Sequence, residues 1–340
     1  MNAEAVNMKR IITVLLVMGL AVSLRASAYE IKFATVAPEG STWMNIMQEL
    51  SDAVEERTDG KVRFRFYSGG VSGDEKDVLR KMRHGQLHAA GFTSQGLGEV
   101  VPDVRLLNIP LVLKDDGEVD YVLSKMEPYF NSRFDKQGFV VLGWPEVGFA
   151  YVFSTKLIDS AESMRRIKMW VWGDDILVNS LFRNIGITPI PLSLIDVMQS
   201  LQTGLIEGVY GSPLSALSLQ WNTRVKHVLD MKIAYVPGGV LMTKASWRRL
   251  TPEQQKIIME ESKKAFVKLT KESRRENDEA MKIMIKQGMV SSKISGEADA
   301  AFFRQVSEKT AAELTGKFYS KELLEEMLGH IKDYRAKSSK

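Results

Sequence analysis

The chain has 340 residues, 44% of them hydrophobic and 26% charged, with a formal net charge of +4 at pH 7 and no cysteine. That length supports two lobes rather than one core, and the scattered dibasic pairs Arg165-Arg166, Arg248-Arg249 and Arg274-Arg275 make no clustered patch for nucleic acid. The absence of cysteine excludes disulfides, thiol catalysis, Cys-ligated metals and an acylated lipoprotein N-terminus.

Lys9 and Arg10 precede the apolar run IITVLLVMGLAVSL, followed by Arg25 and Ala26-Ser27-Ala28. This is a charged leader, a short apolar region and an A-x-A cleavage site. The run is about 14 residues, short of the ~20 of a membrane span. Residues 1–28 are therefore expected to be a signal peptide cleaved after Ala28, with the mature protein soluble and outside the cytoplasm. The alternative is an uncleaved anchor.

YEIKFATVA (29–37) alternates as a strand and is broken by Pro38-Glu39-Gly40. Ser41 caps a helix whose positions Trp43, Ile46, Met47, Leu50 and Val54 follow helical spacing, and Gly60 ends it. KVRFRFY (61–67) alternates again. After the loop SGGVSGDE, Asp74 or Glu75 starts a helix through Val78, Leu79 and Met82, and HAAGFT (88–93) is a short strand. This β-α-β-α-β order predicts a parallel sheet in an α/β domain.

GFVVLGW (138–144) and GFAYVFST (148–155) read as strands. In IKMWVWGDD (167–175) strand alternation puts Trp170 and Trp172 on one face. A helix follows from about Asp175 to Asn184. GITPIPLS is an extended connector, DVMQSLQTG (196–204) a short helix ended by Gly204, and LIEGVYGSP a strand and turn. At Thr251 the pattern T-P-E-Q is a capping box with Pro252 at the first helical position. The helix predicted over 252 to about 287 would reach roughly 50 Å, long enough to run across both lobes. Residues 297–337 are also predicted helical and amphipathic.

Catalytic patterns are missing. GVSGD has Asp74 where a nucleophile elbow needs glycine, and there is neither a P-loop nor a dinucleotide fingerprint. His84 and His88 have the i, i+4 spacing of a metal pair, but Gly85 interrupts them. The adjacent pairs Asp115-Asp116 and Asp174-Asp175 diverge, and read as turn and helix-cap residues. Neither an enzyme, a metal nor a cofactor is expected. What remains for a two-lobed exported protein is binding in the cleft between lobes, with hinge closure.

Four ordered segments then carry a family likeness: YSGGVSGDEKDVLRKMRHGQLHAA, LLNIPLVLKDDGEVDYVL, NIGITPIPLSLIDVMQSLQTGLIEGV and SWRRLTPEQQKII. The chain resembles the solute-binding subunit of TRAP (tripartite ATP-independent periplasmic) transporters, the DctP-like family. The resemblance implies a two-domain α/β periplasmic binding protein fold with a ligand cleft between lobes and a long helix bracing both. Domain I would comprise 29–148 and 236–276, domain II 149–235 and 277–340. It implies periplasmic capture of a small-molecule solute and delivery to TRAP membrane subunits, with an accessory periplasmic lipoprotein as a further partner.

In most members an arginine grips a solute carboxylate, helped by an asparagine. Aligned on RRIKMWVWG and IEGVYGSP, that arginine falls on Trp170 and the asparagine on Gly211, with Tyr210 on a glutamate. A second basic position falls on Ala150. The usual clamp is absent, and an unpartnered buried carboxylate is strongly unfavourable.

Two readings stand for the indoles: core rings in a covered sheet, or, for Trp170, a wall of the cleft. A cleft with Trp170, Tyr210, Phe92, Trp43 and Trp144 suits a hydrophobic, neutral or amphipathic solute. Thr93, Gln95 and Ser212 can orient a polar end, and Glu146 can favour a cationic group. Two alternatives are a carboxylate held by a relocated base (Lys32, Arg63 or Arg65), and a periplasmic interaction protein that carries no solute.

Overall fold

The computed structural model describes residues 28–338. The predicted signal peptide, apart from Ala28, lies outside the described residues. No helix among them is long and apolar enough to cross a membrane.

The first sheet grows from alternating strands. β1 (Tyr29–Ala34) buries Ile31 and Phe33, and pairs in parallel with β2 (Val62–Tyr67) from Tyr29↔Val62 to Ala34↔Tyr67. Between them runs α1 (Thr42–Arg57), whose N-cap Ser41 accepts from the Met44 amide. α2 (Glu75–Arg83), capped by Asp74, leads to β3 (Ala89–Thr93), parallel to β1 on its other side. α3 (Ser94–Val100), a 3₁₀ turn (Pro102–Asn108) and α4 (Asp116–Lys136, capped by Asp115) precede β4 (Phe139–Gly143).

β5 (Glu146–Ser154) opens the second sheet and is followed by α5 (Ala161–Arg165). β6 (Trp170–Trp172) pairs in parallel with β7 (Ile190–Leu192), and a Met169↔Gly208 bridge ties it to β8 (Gly208–Gly211), itself antiparallel to β5. α6 (Ile176–Ile185) is capped by Asp175 and ended by left-handed Gly186; α7 (Val197–Thr203) and α8 (Pro213–Ser218) complete the unit.

One strand joins the sheets. β9 (His227–Thr243) is 17 residues long. Its first half pairs with β5 from Ser154↔His227 to Glu146↔Pro237, and its second half with β3 and β4. At the changeover sits Gly238, where a Cβ would come within 2.5 Å of the Pro145 carbonyl oxygen, so only glycine lets the two backbones approach. β10 (Val290–Ser292) adds an edge to the first half. The parallel start of the first sheet is as predicted, but β9 runs antiparallel to β3, β4 and β5 and makes the whole sheet mixed.

After α9 (Lys244–Trp247), α10 (Pro252–Lys286) runs unbroken for 35 residues from the Thr251–Gln254 capping box. It touches α1 and β4 of one lobe, and β5 and α8 of the other. The segment predicted helical over 297–337 forms two helices. α11 (Glu297–Leu314) packs on α6 and α12 (Lys321–Ser338) on α4, with Gly316 in the left-handed region of the turn between them. Amphipathic spacing continues through this break, so periodicity alone does not show it.

Candidate functional site

A cavity of about 530 Å³ opens between the two sheets. Trp43, Phe92, Thr93 and Gln95 line it from the first lobe, and Trp170, Tyr210, Gly211 and Ser212 from the second; Glu146, beside the strand crossing, lines it as well. Trp144 does not. Its ring lies 5.9 Å from Phe130 and 5.8 Å from Phe134, and its indole N–H donates to Asn131 Oδ1 at 2.9 Å. α4 packs over the end of β4 and supplies both the aromatic partners and the acceptor, so this indole belongs to the core.

The aromatic wall is one stacked group. Trp170 lies against Tyr210 (centroids 5.0 Å, 24°) and Trp172 (6.2 Å, 29°), with Trp221 at its edge (5.6 Å, 71°). Alternation along β6 puts Trp170 and Trp172 on one face, as the sequence predicts, and there the two rings stack. Trp170 is only 1% exposed and donates its N–H to the Leu192 carbonyl at 3.0 Å. It backs the wall, while Tyr210 stays partly accessible. The Tyr210 hydroxyl accepts from the Trp172 amide at 3.3 Å, and burial pushes its pKa well above the usual phenol range. Trp221 sits in a short 3₁₀ turn with no periodicity to announce it.

Trp172 both lines the cavity and joins the lobes. Its indole N–H donates to Asp74 Oδ2 at 2.7 Å, and its carbonyl accepts from Gln95 Nε2 at 3.0 Å. The next residues continue the seam: Asp174 pairs with Lys76, and Asp175 with Arg105. Three of the four residues Trp172–Asp175 thus bind four partners on the first lobe.

The polar residues expected to orient a ligand are largely engaged already. Thr93 caps α3 and donates to Glu75 Oε2 at 3.0 Å. Ser212 caps α8, accepting from the Ser215 amide at 3.2 Å. Gln95 keeps a buried Oε1 without a hydrogen-bond partner. Glu146, expected to be open to a cationic group, is buried and gripped by Arg274 Nε at 2.8 Å and Nη2 at 2.9 Å; the Tyr235 hydroxyl donates to it as well. Burial pushes its pKa up while Arg274 pulls it back. Glu75 accepts from the Thr93 and Gly96 amides, each at 2.7 Å, and burial pushes its carboxyl up to about 7.

The relocated bases are not at the cavity. Arg63 and Arg65 bind Glu30 across β1 and β2, and Lys32 lies in the same outer pair. Instead the wall holds Arg105, which the sequence reading missed. The 3₁₀ turn has three residues per turn, so Arg105 and Asn108 share a face, and both line the cavity. The available signal was a lone arginine within the apolar run VPDVRLLNIPLVL, since such a charge is buried only with a partner. Among the described residues lining the cavity, Arg105 is the only cation; the acids there are Glu75, Glu146, Asp175, Glu276 and Glu279.

Comparison with known proteins places this geometry. The profile of bacterial extracellular solute-binding protein family 7 matches residues 33–317. A solute-binding protein of Chromohalobacter salexigens is 22% identical over 252 residues, 74% of this chain and 75% of that one. The sialic acid-binding periplasmic protein SiaP of Vibrio cholerae is 23% identical over 255 residues, covering 73% and 78%. The sugar acid binding protein of Advenella mimigardefordensis, solved with galactonate, superposes with a TM-score of 0.84 at 17% identity, covering 91% of this chain and 99% of that one.

Proposed function

The chain belongs to bacterial extracellular solute-binding protein family 7, and on that premise we propose that it is an exported periplasmic receptor that closes on a neutral, hydrophobic or amphipathic solute for a TRAP-type transporter. The family consists of transporter receptors rather than enzymes, and TRAP receptors bind small solutes and work with membrane subunits.

One observation carries the choice of solute. The only cation on the described wall, Arg105, is already held by Asp175, while Trp170, Trp172 and Tyr210 form an aromatic group in the second lobe. A carboxylate entering this cavity would meet more acid than base, and the one cation it could reach is already paired with Asp175. Apolar surface gains about 25 cal/mol per Å² on leaving water for such a wall. The relatives named for sialic acid and galactonate bind acids; the difference proposed for this chain lies in that occupied arginine and in Trp170.

The test is to purify the mature protein, release its bound solute under denaturing conditions, and identify it by mass spectrometry. A neutral or amphipathic small molecule is the expected result. Recovery of a dicarboxylate or sugar acid would overturn the solute assignment. A ligand-free protein with a fixed cleft would favour an interaction protein instead.

A further inference from the structure

We propose that Asp175 is a specificity-determining residue: its carboxylate occupies Arg105 where an acidic solute would dock, and so excludes carboxylates from the cavity. This rests on the neutral-solute reading above and gives it a mechanism.

Three features of the pair carry the inference. Both Asp175 oxygens lie on Arg105 Nη2, at 2.8 and 3.0 Å, and the two side chains are only 4% and 6% exposed. Both residues line the cavity, and they come from opposite lobes. Asp175 is also held independently of Arg105. As the N-cap of α6 it accepts from the Val178 amide at 3.1 Å, where the helix dipole favours its charge. A solute carboxylate cannot displace it by competing for Arg105 alone, because the cap keeps the acid in place. Any anion reaching Arg105 would then sit beside a second negative charge away from water.

The same geometry shows what would reverse the exclusion. Arg105 Nε is buried without a hydrogen-bond partner, so the guanidinium has donor capacity left. Asparagine caps a helix as well as aspartate does. Asp175→Asn keeps the start of α6 and removes the charge, leaving Arg105 a planar fork that can take a carboxylate edge.

The experiment uses a matched pair of probes, phenylacetate and phenylacetamide, which share a shape and differ in charge. Binding is read by calorimetry on the full mature protein and its variants, with folding checked by circular dichroism. Asp175→Asn is expected to bind phenylacetate about tenfold or more tightly than wild type does, and adding Arg105→Gln is expected to abolish that gain. If Asp175→Asn does not fold, Asp175→Ser, which also caps, is read in its place. No gain in phenylacetate binding, a gain that survives Arg105→Gln, or loss of folding in both variants would each overturn the proposal, leaving the pair a structural brace. Wild type preferring phenylacetate to phenylacetamide is a separate outcome, and would overturn the neutral-solute reading itself.

Discussion

Trp172 donates its indole N–H to Asp74 Oδ2 at 2.7 Å, and this bond ties β6 of the second lobe to the cap of α2 in the first. The residues are 98 positions apart in the chain. A contact between the lobes is thus built into a strand whose other tryptophan backs the cavity wall.

Trp172→Phe removes the donor and keeps most of the ring. The lost bond to a carboxylate should cost the closed arrangement about 1.5–3 kcal/mol. Small-angle scattering of the solute-free protein should then show a larger radius of gyration than wild type. An unchanged radius would mean that this bond does not hold the lobes together.

Arg274→Ala leaves Glu146 buried without its main partner. Breaking a buried pair on one side costs about 3–5 kcal/mol, and the pair lies at the strand crossing, so urea denaturation should detect the loss. Adding Glu146→Gln should recover part of it. If the single variant is as stable as wild type, Glu146 is not ionised in the folded protein.

Glu75 should make stability fall as pH rises. Its folded carboxyl is held up to about 7, against an ordinary value of 4.5. Between those values the folded state keeps a proton that the unfolded chain has lost. The contribution is therefore full below about 4.5 and disappears as pH passes through about 7, a change on the order of 3 kcal/mol. Urea unfolding at about pH 5 and about pH 8 measures it. Glu75→Gln lowers stability at both pH values but should flatten the slope, and an equally steep slope in that variant would assign the effect elsewhere.

Trp170→Ala should act twice. Emptying a site enclosed by Tyr210, Trp172 and Trp221 should lower stability by about 3–5 kcal/mol. Solute binding should weaken as well, because Tyr210 and Trp172 lose the ring that holds them in the wall. Trp170→Phe, which keeps a ring there, separates the two by losing less stability. Undiminished solute affinity in a folded Trp170→Ala would remove this residue from the site.

Much of the scaffold was legible in the chain. Ser41, Asp74, Asp115, Asp175 and Thr251 all cap helices in the structure, and α10 starts at Pro252 as its capping box requires. The shared face of Trp170 and Trp172 follows from strand alternation alone. These features depend on residues a few positions apart, whose geometry is set by the backbone period.

The site was legible only in part. Trp144 and Trp170 look alike in composition, yet one packs under α4 and the other behind the cavity, because each is placed by an element distant in sequence. Arg105 lies outside every element that periodicity marks. Its partner Asp175 is 70 residues away, and nothing in either neighbourhood names the other. Alternation, caps and family motifs therefore pointed to a two-lobed receptor. Which charges survive unpaired in the cleft depended on how the two lobes meet. A buried ion pair is a contact across the fold, and local pattern carries no record of it.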